Sequence, residues 1–254
     1  MNIQWNSKNY KEQFSFVPQY GEAVINLITR EKGCRVVDLG CGNGTLTKKL
    51  SDAGYDVIGI DDSAEMIALA SSEYPEIAFR KENALSFELQ EKADVIFSNA
   101  VFHWIDREKQ EELARNLSRQ LKLSGELVCE FGGYGCAEAV HSTLEACFRE
   151  RNIAYPRTFY FPTIGEHAPI LEKYGLQIEY AVLFDRPTPQ QADDGLIEWI
   201  NMFVKKPFEN MDWNVRNEIL NDTKSRLKEK LFIDGKWYID YVRIRIRARK
   251  VREM

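Results

Sequence analysis

The sequence lacks the features of a membrane protein and of a disulfide-bonded secreted domain. None of its apolar runs is long enough to span a bilayer. Its first five residues lack the basic start and the apolar core of a signal peptide. The five cysteines are odd in number and no two have C-x-x-C spacing, so we expect reduced thiols and no metal site. These absences favour a cytoplasmic protein that has no membrane partner.

The sequence also lacks an excess of basic charge. Its 34 Lys and Arg residues are outnumbered by 39 Asp and Glu residues, which gives a formal net charge of −5 at pH 7. A mildly acidic surface does not attract phosphate backbones, so we expect no nucleic-acid partner. The 254 residues are enough for one α/β domain with an insertion or for two small domains. We expect a monomer or a weak homodimer.

Three glycines follow the first predicted strand at alternate positions. The strand is the apolar, β-branched run Arg35–Leu39, and the glycines are Gly40, Gly42 and Gly44. A helical pattern begins directly after them. Glycine permits both the backbone angles of a tight turn and the close approach of a ligand. Free amides at the start of the following helix favour polar or anionic ligand groups. The stretch therefore predicts a ligand-binding strand, turn and helix.

The spacing of these glycines distinguishes between classes of cofactor. A dinucleotide site has the pattern G-x-G-x-x-G, whereas the third glycine here comes one residue early. A nicotinamide dehydrogenase is therefore disfavoured. A second predicted strand, at residues 56–60, ends in Asp61. A carboxylate at that distance from the turn can bind both hydroxyls of a ribose.

Strands and helices alternate through the first half of the chain. Further strands are predicted at residues 77–81, 93–98 and 126–131, with helical patterns between them. Such alternation implies a parallel, doubly wound sheet with helices on both faces. Ligands of these sheets lie at the carboxyl ends of the strands. The glycine turn, Asp61 and the segment Asn99 to Trp104 should meet at that edge.

The second half of the chain departs from this alternation. It contains a sixth strand at residues 176–184, two helical patterns and a last strand at residues 237–248. We expect an α/β fold with a doubly wound, mostly parallel, seven-stranded Rossmann-like sheet, an antiparallel last strand and a helical lid that forms the substrate pocket. The predicted parts are an N-terminal cap segment and helix, a ligand-binding α/β core, a lid and the final core strand, at residues 1–30, 31–186, 187–236 and 237–254.

Several polar residues near the predicted strand ends have two interpretations each. Asn83 could accept a hydrogen bond from an adenine amino group, or it could serve a plain turn. Met66 either lies near an adenine or fills the core. His103 is a candidate general base or hydrogen-bond donor to a substrate, and it could equally be a structural histidine of the pocket.

The last strand carries three arginines at alternate positions. Alternation places Arg243, Arg245 and Arg247 on one face. We expect Arg245 and Arg247 to lie on a solvated face. Arg243 is nearest the start of an antiparallel strand, so it should reach the ligand-bearing edge and bind a substrate carboxylate. Arg157 and Arg186 are weaker candidates, because loop arginines are usually solvated.

Beyond the glycine turn, three longer stretches are distinctive. They are the opening Trp5-Asn6-x-x-x-Tyr10, the run from Phe97 to Trp104, and a helical insertion before a last strand that carries Tyr241-x-Arg243. With these motifs the chain resembles the class I S-adenosylmethionine (SAM) methyltransferases, and among them the trans-aconitate 2-methyltransferase group. The resemblance covers nearly the full length and is weaker in the lid. Asn83 departs from the aspartate that the group often has at that position.

The resemblance implies SAM as the cofactor and S-adenosylhomocysteine (SAH) as the product. By this resemblance the three glycines border the methionine part of SAM, Asp61 holds the ribose, and Asn83 with Ala84 meets the adenine. Asn99 and Ala100 lie beside the sulfonium, and Tyr10 closes the site. The predicted cofactor-binding residues are Tyr10, Gly40, Cys41, Gly42, Gly44, Asp61, Asp62, Met66, Asn83, Ala84, Asn99, Ala100 and Trp104.

The chemistry of methyl transfer separates the possible acceptors. Transfer from a sulfonium is an in-line displacement in which proximity and orientation carry much of the rate. A carboxylate acceptor is already ionised at neutral pH and needs no base, and arginine binds its other charges bidentately. We predict a methyltransferase that converts a small-molecule carboxylate, similar to trans-aconitate, into a methyl ester. Its predicted substrate-binding residues are His103, Arg157, Tyr241 and Arg243.

Two other functions are possible. The enzyme could methylate an oxygen, nitrogen or carbon atom of another metabolite, with His103 as the catalytic base. Alternatively, the chain could be a SAM-binding sensor without catalysis. The predicted lid argues against a sensor, because a sensor needs no second pocket.

Overall fold

The structure, a computed structural model, describes residues 16–190 and 194–253. The predicted cap segment at residues 1–15, which includes Trp5 and Tyr10, lies outside the described residues. Within the described part no helix combines the length and the apolar character that crossing a membrane requires.

A single mixed sheet forms the centre of the molecule. Its main strands follow the order β3-β2-β1-β4-β5-β8-β6, and a short strand, β7, pairs with β8. β1 to β5 are mutually parallel, whereas β8 runs antiparallel between β5 and β6. The predicted mostly parallel sheet with an antiparallel last strand is confirmed. The strands are β1 (Arg35–Leu39), β2 (Asp56–Asp61), β3 (Ala78–Lys81), β4 (Ala93–Asn99), β5 (Leu121–Gly132), β6 (Leu176–Pro189), β7 (Phe232–Ile233) and β8 (Lys236–Lys250).

Helices cover both faces of this sheet. Short 3-10 helices occur at Phe102–Trp104, Arg107–Lys109 and Lys206–Phe208. The α-helices are α1 (Phe16–Ile25), α2 (Thr45–Asp52), α3 (Ala64–Glu73), α4 (Gln110–Gln120), α5 (Glu138–Glu150), α6 (Ile164–Lys173), α7 (Gly195–Phe203) and α8 (Trp213–Leu231).

Alternation along the central strands explains the two layers. Val36 of β1 packs with Leu50 of α2, in a cluster that also includes residues next to α1. The next residue, Val37, points to the opposite face and packs in the cluster that contains Leu117 of α4. All four side chains are fully buried, and each such burial contributes about 1.5–3 kcal/mol. The period of two in the apolar strands therefore places helices on both sides.

The helical insertion lies between β6 and β8. Its helices α7 and α8 share a buried cluster with α5 that includes Trp199 and Ile219. β6 extends five residues beyond the predicted end at residue 184, because Pro189 still pairs with Tyr238 of β8. The first described helix of the insertion begins at Gly195. The hairpin of β7 and β8 was absent from the prediction.

Candidate active site

The glycine turn directly follows β1. Gly40, Gly42 and Gly44 all have positive φ, at 76°, 54° and 80°. A Cβ atom on Gly40 would lie 2.2 Å from Val101 Cγ2, and one on Gly44 would lie 2.9 Å from Phe79 Cζ, so the close packing of both positions excludes a side chain. A Cβ on Gly42 would meet nothing within 4 Å. Gly42 thus faces open space at the end of the strand, where a ligand can approach the backbone.

Asp61 is tied to this turn by hydrogen bonds. The N–H of Gly42 donates to Asp61 Oδ2 over 3.0 Å, and the N–H of Ser63 donates to Oδ1 over 2.8 Å. Burial raises the pKa of Asp61, although the two backbone N–H groups oppose the shift. Each carboxylate oxygen can accept a further hydrogen bond besides the one from a backbone N–H. The geometry fits a ribose whose hydroxyl groups lie beside the glycine turn.

Asn83 connects the ends of β2 and β3. Its Nδ2 donates to Asp62 Oδ2 over 3.2 Å, while its Oδ1 accepts from the N–H of Leu85 over 2.9 Å. The side chain therefore makes a local turn, as one of its two interpretations predicts, and Oδ1 retains a second lone pair for a ligand donor. Met66 is buried beside Ser63, whose Oγ accepts from the N–H of Met66 over 3.3 Å.

The other predicted cofactor residues lie at the neighbouring strand ends. Cys41 is buried and its N–H donates to the carbonyl of Ile60, and burial raises the pKa of its thiol. Ala84 is buried, with its carbonyl accepting from Asn116 Nδ2 over 3.1 Å. Ala100 has φ 63°, and its N–H donates to the carbonyl of Glu130 over 2.7 Å.

Asn99, at the end of β4, contains an unpaired polar atom. Its Oδ1 is buried and has no hydrogen-bond partner among the described residues. An unpaired buried acceptor is costly, typically about 1–3 kcal/mol. A donor such as an ammonium or a hydroxyl of a cofactor would remove this cost. Together with the open face of Gly42, this acceptor fits the predicted SAM site.

His103 is buried on the 3-10 helix that follows β4. The N–H of Gly132 donates to His103 Nδ1 over 3.2 Å. Burial, together with the nearby positive charge of Arg243, holds the pKa of His103 well below its ordinary value. The ring is therefore neutral, and because Nδ1 accepts a hydrogen bond, the single ring proton resides on Nε2. In this state Nε2 of His103 is a hydrogen-bond donor.

Aromatic rings surround the same 3-10 helix. Trp104 packs against Phe159 with ring centroids 4.9 Å apart and against Phe203 of α7 at 5.9 Å. Phe159 and Phe161 stack at 5.1 Å with an interplanar angle of 6°. Trp104, which we predicted to contact the cofactor, thus lies between the edge of the sheet and the insertion. The loop that carries Phe159 and Phe161, here called the aromatic loop, was not predicted to lie near α7. Trp104, which contacts both, brings together parts of the chain that are far apart in sequence.

A buried carboxylate lies among arginines on the same edge. Glu130 of β5 is fully buried, and its oxygens contact Arg243 Nε at 3.2 Å, a terminal nitrogen of Arg245 at 2.6 Å, and the terminal nitrogens of Arg186 at 2.6 and 2.9 Å. Burial would raise the pKa of Glu130, but the charges and hydrogen bonds of Arg243, Arg186 and Arg245 outweigh it and lower the pKa. Glu130 was not predicted as a candidate residue, although a glutamate between the apolar residues Cys129 and Phe131 of a predicted strand was a clue.

The expected solvated face for Arg245 and Arg247 was wrong. The Arg245 side chain is 14% exposed and the Arg247 side chain 24% exposed. The reason is that both have carboxylate partners on adjacent strands: Glu130 for Arg245 and Glu179 for Arg247. Arginines on the predicted outer face are thereby drawn into a partly buried ion-pair network.

The two remaining substrate candidates are Arg157 and Tyr241, and Tyr241 lies opposite Arg186 of the cluster in the pairing of β6 with β8. Arg157 pairs with Glu138 and Glu145 of α5, and its side chain is 42% exposed. Tyr241 accepts a hydrogen bond from Trp199 Nε1 of α7 over 2.5 Å. Tyr241 therefore joins the last core strand to the insertion, whereas Arg157 joins the aromatic loop to α5.

Comparisons with known proteins agree with this geometry. Residues 36–125 match the methyltransferase domain family. The chain is 29% identical to an uncharacterized methyltransferase of Schizosaccharomyces pombe over 97% of this chain and 98% of that protein. It is 24% identical to a trans-aconitate 2-methyltransferase of Variovorax paradoxus over 98% of this chain and 99% of that protein.

A solved structure is similar in fold. A TehB-like SAM-dependent methyltransferase from Corynebacterium glutamicum superimposes with a TM-score of 0.55 at 19% identity, covering 96% of this chain and 97% of that chain. This similarity confirms the predicted class I fold. The matched domain and the methyltransferase relatives confirm the predicted enzyme class and its cofactor, SAM.

Proposed function

We propose that this SAM-dependent methyltransferase transfers its methyl group to a carboxylate of a small organic acid, giving a methyl ester and SAH. We further propose that Arg243 binds another carboxylate of that acid. The observation that carries the proposal is the cluster of three arginines around the single carboxylate of Glu130. Among the described residues, this cluster contains more positive than negative charge. It lies near the carboxyl ends of the strands, as the glycine turn does, and such charge favours an anionic acceptor.

The tautomer of His103 supports a reaction without a general base. The ring nitrogen that could accept a proton already accepts the N–H of Gly132. A carboxylate acceptor loses no proton on methylation, so the chemistry requires none of the side chains to remove one. His103 Nε2 can then donate a hydrogen bond to the acceptor. SAM, when bound, supplies the methyl group on a positively charged sulfur.

The insertion supports a pocket for a small acceptor, and we propose that residues 187–236 act as its lid. Phe203 of α7 contacts Trp104 next to His103, and Trp199 of the same helix contacts Tyr241. These contacts support a lid whose side chains cover the residues proposed to meet the acceptor. Exclusion of water by such a cover favours methyl transfer. The N-terminal 30 residues as a cap, residues 31–186 as the core and residues 237–254 as its final strand complete the proposed division.

We also propose that the enzyme is cytoplasmic and works as a monomer or a weak homodimer without nucleic acid. The formal net charge of −5 supports the absence of a nucleic-acid partner. All five cysteines are free thiols, as a reducing compartment would keep them. Sedimentation at several protein concentrations would measure the oligomeric state directly.

The proposal is tested by measuring SAM-to-SAH turnover over a panel of di- and tricarboxylic acids that includes trans-aconitate. We expect Arg243→Ala to lower kcat/KM for the accepted acid by about 30-fold or more, since losing a buried charge partner costs about 2 kcal/mol or more. Arg249→Ala is the matched control. Arg249 lies on the same strand face but pairs with Glu179, so this variant should leave turnover unchanged.

Two results would contradict the proposal. Unchanged turnover in Arg243→Ala would remove the role of Arg243 in binding a carboxylate. Tight SAM binding with no acid turned over, and no other acceptor turned over in a broad metabolite screen, would favour a SAM-binding sensor.

A further inference from the structure

We propose that Glu130 is a positioning residue that holds Arg243 by Nε alone and so keeps the end of its guanidinium open to the acceptor's second carboxylate. The inference rests on the proposed function, because it assigns how the acid is held. Glu130 itself does not touch the acid. It acts through Arg243, and its side chain bonds to arginines and not to the predicted SAM residues.

The three arginines share Glu130 unequally. Arg186 donates from both terminal nitrogens, one to each carboxylate oxygen. Arg245 donates from Nε over 2.8 Å, and one of its terminal nitrogens lies 2.6 Å from the same carboxylate oxygen. Arg243 donates only from Nε, over 3.2 Å. Two arginines therefore satisfy the carboxylate, and the third is oriented by it.

The end of the Arg243 guanidinium is not used within the described protein. Its two terminal nitrogens form no hydrogen bond with any described residue, and Glu130 is its only ion-pair partner in that part of the chain. The two terminal nitrogens of an arginine form a fork that matches a carboxylate bidentately. Nε bonding to Glu130 leaves this fork intact. The arrangement thus presents a ready bidentate donor.

Among the described residues, the cluster contains more positive than negative charge. Three guanidinium groups contact one carboxylate in this part of the chain, and the neighbouring ionisable groups of His103 and Cys136 are neutral. Burial and the charge of Arg243 keep His103 deprotonated, and burial raises the pKa of the Cys136 thiol to about 11. Uncompensated buried charge is unfavourable. A bound carboxylate would reduce the excess.

The position of Arg243 directs this fork to the reacting edge. Arg243 pairs across the sheet with Gly132, the last residue of β5. The N–H of Gly132 donates to His103, whose Nε2 carries the donor proton. The fork and the His103 donor therefore belong to one end of β5. In an acid with two separated carboxylates, one carboxylate would bind the fork of Arg243 and the other would accept a hydrogen bond from His103 Nε2.

The test compares Glu130→Gln with Glu126→Gln. Both residues are buried glutamates on the same face of β5, but Glu126 bonds Thr29 and not the arginine cluster. For Glu130→Gln we expect the KM for trans-aconitate, or for whichever acid the panel identifies, to rise about tenfold or more. SAM affinity should change less than about twofold, because the hydrogen bond that the predicted SAM residue Ala100 donates to Glu130 goes to the backbone carbonyl, which glutamine retains. Glu126→Gln should leave both values unchanged.

Binding is measured independently of turnover, by titrating trans-aconitate into the SAH-bound enzyme. Weaker binding in Glu130→Gln alone supports the inference. A lower melting temperature with unchanged KM and unchanged acid binding would overturn it and leave Glu130 a purely structural residue. Should Glu130→Gln fail to fold, Glu130→Asp keeps the charge but moves it back by one methylene, and wild-type acid binding by that variant would also overturn the inference.

The failure of the proposed function has a different signature. In that case wild-type enzyme neither binds nor methylates any acid of the panel. If only the role of Glu130 is wrong, the wild-type enzyme uses an acid and the Glu130 variants use it equally well.

Discussion

The backbone N–H of Gly132 and Nδ1 of His103 form a hydrogen bond of 3.2 Å that fixes which nitrogen of the ring carries the proton. Gly132 ends β5, and His103 lies on the 3-10 helix after β4, so the bond also joins the two strand ends. A backbone N–H can only donate. The neutral ring must therefore accept at Nδ1 and donate at Nε2.

We expect His103→Gln to retain most activity, within about fivefold, because a glutamine amide can replace a hydrogen-bond donor. His103→Ala should lose about 10- to 100-fold, the worth of a hydrogen bond to a charged group. Steady-state kinetics with measured SAM affinity distinguish these outcomes. Between pH 7 and 8 neither variant should alter the pH profile of kcat, because burial and the charge of Arg243 hold the pKa of His103 well below its ordinary value and the ring stays neutral. A loss beyond about 1000-fold in both variants, with SAM binding intact, would instead indicate a general base.

The histidines predict how stability depends on pH. All three are buried, and burial lowers the pKa of both His141 and His167 to about 4. The unfolded chain takes up protons below about pH 6.5 that the folded chain excludes, so the free energy of unfolding falls as the pH drops from 6.5 towards 4. Each histidine contributes up to about 1.4 kcal/mol per pH unit.

This slope is measured by urea unfolding between pH 7.5 and 5. We expect His167→Phe to reduce this slope by one proton, because a phenyl ring can keep the edge-on packing against Phe131 but cannot bind a proton. The Tyr160 hydroxyl loses its bond to His167, which lowers stability without changing the slope. Burial raises the pKa of Asp38 to about 7, and this opposes the histidine effect. The contribution of Asp38 is the same in both proteins and cancels in the difference. An identical slope in wild type and variant would contradict the assignment.

Glycine substitutions distinguish the cost of backbone strain in unfolding free energy from the loss of cofactor affinity. Gly42 and Gly33 both have positive φ, and a Cβ on either meets nothing within 4 Å. Alanine at each position should therefore cost a similar amount, about 1–2 kcal/mol of unfolding free energy. Only Gly42→Ala should weaken SAH binding, by about tenfold or more, or about 1.4 kcal/mol, since its methyl group would occupy the ligand's space.

Calorimetric titration with SAH and thermal unfolding provide the two measurements. Gly40→Ala should fail to fold stably, because the new Cβ would lie 2.2 Å from Val101 Cγ2. Equal SAH affinity in the Gly42 and Gly33 variants would show that the open face of Gly42 is not the cofactor site.

From the contact between Phe203 and Trp104 we predict that the lid affects the binding of the acceptor and not the binding of SAM. We expect Phe203→Ala to raise the KM for the acceptor about fivefold or more while SAM affinity is unchanged, since about 1 kcal/mol of aromatic packing is lost. Phe208→Ala is the control, because Phe208 packs against Phe148, away from Trp104. Both variants should unfold at lower temperature. A matching rise in acceptor KM in the control would mean that the effect comes from general loosening.

Residues close in sequence were the predictable part of this site. The glycine turn, the carboxylate of Asp61 and the alternation of strands all follow from local patterns that determine backbone conformation. The hydrogen bond between Gly42 and Asp61 joins only neighbouring strands. Local patterns were thus sufficient to predict the segments that would bind the methyl donor.

The arginine cluster was not predictable in the same way. Glu130 and Arg245 are opposite each other in the pairing of β5 with β8, and this register links positions far apart in the chain. Period-two alternation correctly predicted that the three arginines share one face of the strand. It could not predict which residues contact that face. Their burial depends on a glutamate from a strand that only the sheet order brings alongside.

The place of β8 in the sheet has a consequence for how the protein is made. Its residues leave the ribosome only after the whole helical insertion, yet β8 lies between β5 and β6 and is the strand through which β6 joins the sheet. The edge of β6 therefore stays unpaired while the insertion and then β8 are synthesised. Contacts between residues so distant in sequence form slowly, and a waiting strand edge invites association with other chains. The nascent enzyme is thus most exposed to misassembly just before the strand that carries Arg243 arrives.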